Sequence, residues 1–479
     1  MLNTFEITPR VRWKWLLIIL AIKLVVFTYY AWHFSEYAKS GLVKSGIVVE
    51  LADTDTYYAP IEAFVRTGEY PTACRMPGLL PTYAPFSKLF GQQTAYIVVI
   101  LLQFIFSVIS VFLLATVAAR VIQWKYAFHV TAVVYALSSF VSIWDHCLLS
   151  DSFSTSYFIF SLYYLTEFSV KLNWKYLIYA GFWLTWSVFI RQALVIAFPF
   201  FALMILIWNR SSLLIWLKRA VVFAIPFILA DAWWIARNFQ KEKEFVPLVK
   251  PISECWRSYS PQFQAVNDLL ITWGEDVQYW VAGSSADWFN KPIQQQSVFP
   301  FNERIVTSNC SMDDVLQLQH DYASFRTTDS TELKQELGKK IIADASRFIA
   351  TYKQERAFDY WLMKRIRMTR QFVLPARLDN LPGPSFSEMN LIQKAVKSSY
   401  LLLLLGINVL AAIGLIIAVK KRNWTVAALA LFPAALIFVL ACLLGFIEQR
   451  YFVPIYPIFL IMAVYTLSQI VTMAWRSQT

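Results

Sequence analysis

The chain has 479 residues, 58% of them hydrophobic, a mean hydropathy of +0.48 and a formal net charge of +12. An ordinary soluble domain is nearer half apolar and lacks long uninterrupted apolar runs, so this composition excludes one. The basic residues lie in short groups between apolar runs rather than in one patch, which argues against nucleic acid as a partner and for loops that face lipid head groups.

About 20 apolar residues cross the roughly 30 Å hydrocarbon layer. Ten spans are predicted on that basis, at roughly 13–34, 94–119, 126–144, 152–168, 176–190, 193–209, 219–236, 398–419, 424–447 and 451–474. The expected fold class is an all-α polytopic membrane protein. Arg10, Arg12 and Lys14 precede the first span, which is too long for a secretory signal core and reads as a signal anchor. Lys23 falls in the middle of that span. A charge there is costly unless it faces the bundle interior or a polar cavity. Asp151 and Asp231 are its candidate partners, and a donor cavity or a structural ion pair would serve equally.

The segment after the first span is acidic and aromatic: Ala52-Asp53-Thr54-Asp55-Thr56-Tyr57-Tyr58. Arg75-Met76-Pro77-Gly78 and Pro81-Thr82-Tyr83-Ala84-Pro85 follow. A carboxylate can take a proton from a hydroxyl or amine. Asp53 and Asp55 share a face of an extended segment but not of a helix. One could contact the acceptor while the other holds the loop, with Tyr57 and Tyr58 on the acceptor side. The alternative is that both only cap the helix that follows.

Every second loop carries lysine or arginine: Arg120 and Lys125, Lys171 and Lys175, Arg210, Lys218 and Arg219, then Lys420, Lys421 and Arg422. Those loops are expected in the cytoplasm, with both termini. The Asp53 loop, the Asp145–Asp151 turn, Arg191, the segment 237–397 and the Glu448–Arg450 turn then fall outside. Four arginines, Arg75, Arg191, Arg237 and Arg450, stand at that outer rim. The guanidinium fork suits phosphate, although arginines at span ends also reach for ordinary head groups. Asp151, Glu448 and Tyr451 flank the same rim.

Three parts are expected: a seven-span module over 1–236, an external domain over 237–397 and a three-span module over 398–479. The external part is predicted helical from about 312 to 372, with Leu333, Leu337, Ile341, Ile342, Ala345 and Ile349 at helical spacing. From Lys353 to Arg370 it is strongly basic with interleaved Phe358, Tyr360, Trp361 and Leu362, which suits a helix on a membrane surface or one packed on its own domain. Leu381-Pro382-Gly383-Pro384 is expected to be a linker. Of five cysteines, Cys74, Cys255 and Cys310 are expected outside, with Cys255–Cys310 the pair to test and free thiols the alternative. His33, His129, His146 and His320 show no metal-ligand spacing, and no metal or other cofactor is expected.

Asp53-x-x-x-Tyr57, Gly68-Glu69-Tyr70 and Arg75-Met76-Pro77-Gly78 together resemble the first external loop of GT-C glycosyltransferases of the family 39 type. That group includes protein O-mannosyltransferases and the aminoarabinose transferases that act on lipid A. Ser150-Asp151-Ser152-Phe153, Trp233-Trp234-x-x-Arg237-Asn238 and Gln449-Arg450-Tyr451-x-x-Pro454-x-x-Pro457 resemble later motifs of the same family, in the same order. The resemblance implies a GT-C fold and a polyprenyl-phosphate sugar donor. It makes Asp53 the catalytic base and Asp55 a weaker second. It sets Arg191, Arg237 and Arg450 near the lipid phosphate. The acceptor is expected to be an envelope glycan, lipid or protein. Some mannosyltransferases carry Asp-Glu where this chain has Asp53-Thr54, and their appended sugar-binding domain is not expected here. The rival readings are a glycan polymerase or ligase with a diphosphate-linked donor, and a transporter or flippase of lipid-linked sugars.

Overall fold

The computed structural model describes residues 8–38, 46–51, 53–209, 212–255, 260–274, 289, 303–374, 386–445 and 449–476. Among them the regular elements are helical, joined by two isolated bridges, Val49 with Cys147 and Thr307 with Cys310. The predicted linker at 381–384, Arg210 and Glu448 lie outside the described residues.

Each predicted span is a helix or a pair of helices. In chain order these are α1 (Pro9–Ala38), α2 (Thr54–Thr67), α3 (Leu80–Phe90), α4 (Gln92–Ile122), α5 (Ala127–Leu137), α6 (Ser139–His146), α7 (Asp151–Lys171), α8 (Trp174–Ile190), α9 (Gln192–Asn209) and α10 (Leu213–Glu242). After the external segment come α15 (Leu391–Lys420), α16 (Trp424–Leu444) and α17 (Tyr456–Arg476), with α11 to α14 between them. Among the described residues, seven helices are long and apolar enough to cross a membrane, and α5 with α6 makes an eighth candidate bent by 51° at Ser138. The predicted fourth and fifth spans are α7 and α8. Asp151, Glu167 and Lys171 make α7 more polar, and α8 has only 17 residues. This is a multi-pass membrane protein. Its outward faces confirm the solvent: Val25 on α1 is 71% exposed, Leu229 on α10 66% and Leu402 on α15 69%, which only lipid would tolerate in such numbers.

The chain divides into two compact units. The first comprises residues 1–250, 377–434 and 453–479, and the second 251–376 with 435–452. In the first, α7 and α8 pack side by side, α4 lies along α7, and α15 pairs with α17. The second unit is built on α11 (Pro261–Trp273), α12 (Met312–Thr327) and α13 (Thr331–Glu355). Ser311 and Asp314 close a capping box that starts α12. The buried face of α13 runs Gly338, Ile341, Ala345, Phe348 and Tyr352, so of the predicted face Ile341 and Ala345 are buried, Leu337, Ile342 and Ile349 are half-buried and Leu333 is exposed. The helical stretch then continues through Asp359–Met363 into α14 (Lys364–Val373), which buries Lys364, Met368 and Phe372. Burial, with Arg365 and Lys353 nearby, lowers the Lys364 ammonium from 10.5 to about 8.

The cysteine expectation is corrected. Cys74 and Cys255 are each disulfide-bonded, whereas Cys147, Cys310 and Cys442 are free thiols. Cys310 is 1% exposed inside the core of the second unit, with Leu269, Val315 and Ile341 in the same cluster. Burial pushes its thiol up to about 12, so it is a core residue rather than half of a bridge.

Candidate active site at the head of the second helix

The acidic loop is set down on the chain between α6 and α7. Val49 N–H donates to the His146 carbonyl at 2.9 Å and Leu148 N–H to the Val49 carbonyl at 3.0 Å. The buried Thr54 hydroxyl locks the same corner, accepting from Leu51 N–H at 2.9 Å and donating to the Leu148 carbonyl at 3.2 Å. Apolar residues close over it: Val48, Tyr58, Ile61, Leu148 and Phe153 share one cluster with Tyr70, Met76, Leu79 and Tyr83.

Asp53 is the N-cap residue of α2, half-buried, and its side chain makes no capping hydrogen bond. The structure therefore does not give its carboxylate the bland role that the position would allow. Asp55 lies in the first turn and is exposed. Because α2 begins at Thr54, the two carboxylates are on a helix start rather than an extended strand and diverge. Gly68 ends the helix at φ 75°, where its N–H returns to the Phe64 carbonyl, and only a residue without a side chain takes that conformation freely.

Arg75 comes back to this helix start. Its Nε and Nη2 donate to the Thr56 hydroxyl at 3.2 and 3.0 Å, and its guanidinium stacks 4.3 Å from the centre of the Tyr57 ring. Thr56 in turn donates to the Asp53 carbonyl at 2.8 Å. The Arg75 Nη1 makes no hydrogen bond to the described residues. Tyr57 donates its phenol proton to Ser150 Oγ at 3.1 Å. The next residue, Asp151, opens α7 and forms a buried ion pair with Arg191. A carboxylate at a helix N-terminus is further favoured by the helix dipole. Its Oδ2 is buried and finds no partner among the described residues. Arg191 can reach Asp151 because α8 stops there: its backbone turns extended, at φ −142° and ψ 95°, before the 3-10 turn Gln192–Ile196. The pair is joined across α7 and α8 by Ser187, which donates to the Ser154 carbonyl at 2.7 Å. Asp53, Thr56, Tyr57, Arg75, Ser150, Asp151 and Arg191 are thus linked by one continuous chain of contacts.

Gly78 makes that chain close. A β-carbon on it would stand 2.5 Å from the carbonyl carbon and oxygen of Phe189 and 2.7 Å from Ile190 N. The loop carrying Arg75 therefore presses its backbone on the end of the helix carrying Arg191. Gly78→Ala should lift the loop and cost about 1–3 kcal/mol. Thermal unfolding in detergent would register this as a lowered midpoint, and an unchanged midpoint would contradict the packing.

The other predicted residues go elsewhere. Arg237 donates to the carbonyls of Tyr70 and Thr72 and to Asn238 Oδ1, and stacks 4.9 Å from Trp234. It fastens the far end of the loop to α10. Lys23 does not pair with Asp151 or Asp231. It bonds Asp145 at 2.7 Å and Ser142 at 2.8 Å, and both charged side chains are at most 2% exposed. Asp145 also accepts from Ser152 at 2.6 Å, so this is a satisfied structural pair rather than an open donor cavity. Asp231 accepts from Leu248 N–H at 3.1 Å. Tyr58 is buried among Tyr83 and Tyr96. Arg450 and Tyr451 belong to a 3-10 turn in the second unit, and both are half-buried.

No protein-family model matches this chain, and no curated protein matches it by sequence. Two solved structures are similar to it: ArnT from Cupriavidus metallidurans bound to undecaprenyl phosphate, at 13% identity, and ArnT from the same organism in the apo state, at 12%. Each likeness covers 95% of this chain and 78% of the other, with a TM-score of 0.35.

Some of the site was not singled out from sequence. Thr56 and Ser150 sit within quoted motifs, yet nothing in their identity marks them as the hydroxyls that join Arg75 and Tyr57 to the rest. Glu62 was overlooked entirely. Tyr83 and Ser87, four residues apart on α3, both donate to its Oε1, Ser87 at 2.5 Å. That i, i+4 spacing of two hydroxyls facing a carboxylate on the neighbouring helix was the available signal.

Proposed function

We propose that this chain is a membrane glycosyltransferase of the GT-C type, moving a sugar from a polyprenyl-phosphate donor to an acceptor at the outer face of the cytoplasmic membrane. The observation that carries this reading is the pairing at the head of α2: a half-buried aspartate, Asp53, whose carbonyl accepts from the Thr56 hydroxyl, and Arg75, which donates to that same hydroxyl and stacks on Tyr57. The order of the sequence motifs supports the donor class.

In this reading the Asp53 carboxylate removes the proton from an acceptor hydroxyl or amine. The freed lone pair attacks the anomeric carbon. The bond from that carbon to the phosphate oxygen breaks, and polyprenyl phosphate departs with the electron pair, so the configuration inverts. Arg75 meets the charge that develops on the phosphate, where fixed donors contribute most. The lipid phosphate is already a good leaving group, and the scheme needs no metal. Asp151, buried and held by Arg191, positions the start of α7 beside Ser150, and Tyr57 is held between Arg75 and Ser150. Asp55, exposed on the first turn, has at most an auxiliary part. Arg237 holds the loop rather than the phosphate. Arg450, Tyr451 and Glu448 are assigned to the donor site from their motif alone.

Polyprenyl phosphate, the released lipid, should bind the resting protein. Undecaprenyl phosphate at a hundred times its dissociation constant should stabilise purified protein by about 2.7 kcal/mol. Arg75→Gln should weaken that stabilisation at least several-fold in concentration. Equal stabilisation of both proteins, or none of either, would remove Arg75 from the phosphate site.

A further inference from the structure

We propose that the helical stretch from Phe358 to Val373 in the second unit is a lipid-binding element that lies in the head-group layer of the membrane holding the spans and takes anionic phospholipid. Three observations lead there.

The first is its place. α16 is long and apolar enough to cross a membrane, and α14 packs against its C-terminal half. A β-carbon at Gly445, one residue past the end of α16, would lie 3.9 Å from Lys364 Nζ and 3.9 Å from Met368 Cε. The buried face of α14 therefore meets the last residues of this apolar helix, the level at which the proposal sets the head groups. Phe372 also meets Phe452 edge to face at 5.6 Å. On the span itself Leu443 is 65% and Leu444 56% exposed, as lipid-facing residues would be.

The second is the opposite face. Phe358, Trp361, Leu362 and Ile366 are 68%, 62%, 47% and 50% exposed. They stand exposed together along a short stretch that includes the π-helical turn Asp359–Met363. A helix whose second face is apolar after the first has been buried needs an apolar medium on that side. Trp, Phe, Leu and Ile above a basic surround is the pattern of helices seated about 5–10 Å into the head-group boundary.

The third is charge, which decides between lipid and another protein surface. Lys353, Arg356 and Arg370 are exposed around this face, and Arg365 stacks 5.0 Å from the Trp361 ring. Of the nearby acids, Asp359 is paired with both terminal nitrogens of Arg367, and the single charge of Glu355, which accepts from Ser308, is outnumbered by Lys353, Arg356, Arg365 and Arg370. The face is left net positive, complementary to anionic head groups at about 1 kcal/mol per basic residue.

The test uses the full chain in nanodiscs. With Cys442→Ser as background, Leu362→Cys and Ile366→Cys are labelled singly with a nitroxide, and Gln354→Cys, on the exposed flank, is the aqueous control. Collision with oxygen and with a water-soluble nickel chelate then reads depth. In phosphatidylcholine with a minority of phosphatidylglycerol, labels at 362 and 366 should show a several-fold higher ratio of oxygen to nickel accessibility than the label at 354. Removing phosphatidylglycerol should reduce that ratio. Labels as accessible to nickel as the control would overturn the proposal. So would labels shielded from oxygen and nickel alike, which would mean that protein covers the face. Depth unchanged without phosphatidylglycerol would overturn the preference for anionic lipid. The labelled positions are exposed, so the substitutions leave the core intact.

Discussion

Asp53→Asn is expected to lose about 10²–10⁴-fold in transfer rate, the usual contribution of a positioned base, or roughly 3–5 kcal/mol of transition-state stabilisation. Thermal stability should stay close to that of the wild type. The reason lies in the local structure: the corner is fixed by Thr54, whose hydroxyl bonds Leu51 and Leu148, and the start of α2 by backbone bonds to the Asp53 carbonyl, which asparagine keeps. The Asp53 side chain makes no helix-capping bond, and asparagine keeps a side-chain oxygen in place. An amide is the same size but cannot accept the proton. A large fall in the unfolding temperature of Asp53→Asn would instead make this carboxylate a structural group. Unchanged turnover would remove it from the chemistry.

The opposite signature is expected at Asp151 and Arg191. Their ion pair is buried, with side chains 1% and 6% exposed. Arg191→Met leaves a carboxylate in a low-dielectric interior without its partner, which costs about 3–5 kcal/mol. Asp151→Asn should also destabilise, because it takes the ion-pair partner from the buried guanidinium. The double variant should be less destabilised than the sum of the two, since neither charge is then left alone. Fluorescence-detected thermal unfolding of the four proteins in detergent measures this cycle. Additive losses would show that the two side chains do not depend on each other.

The membrane architecture was readable because a span is set by length and hydropathy, which are local properties. Seven of the ten predicted segments are helices long and apolar enough to span, the bend at Ser138 falls within an eighth, and α7 and α8 are helices that fall short of that measure. The acidic loop was readable for another reason: charged and aromatic residues at the end of a span stand out against the apolar background. What was not readable was pairing. Lys23 is 122 residues from Asp145, and nothing in the sequence prefers that carboxylate over Asp151 or Asp231. The choice follows from the break in the third span, which turns the 139–146 segment towards α1. Arg237 illustrates the same limit. Its position at the rim gives no sign that its guanidinium donates to the loop carbonyls of Tyr70 and Thr72. Cys310 looked like a bridge partner by composition and is a core thiol by packing. Gly78 carries no chemical signal at all, yet it allows the contact that joins Arg75 to the end of α8.

The central claim is that Asp53 drives sugar transfer from a lipid phosphate, and mass spectrometry of the donor pool tests it most directly. Membranes carrying the wild type or Asp53→Asn would be offered polyprenyl-phosphate hexoses and aminopentoses together with native cell envelope as acceptor. The account predicts that the wild type consumes one donor, releases polyprenyl phosphate and leaves the others, while Asp53→Asn consumes none at a comparable rate. Wild-type membranes that leave every monophosphate donor intact, or Asp53→Asn membranes that match the wild type, would contradict it.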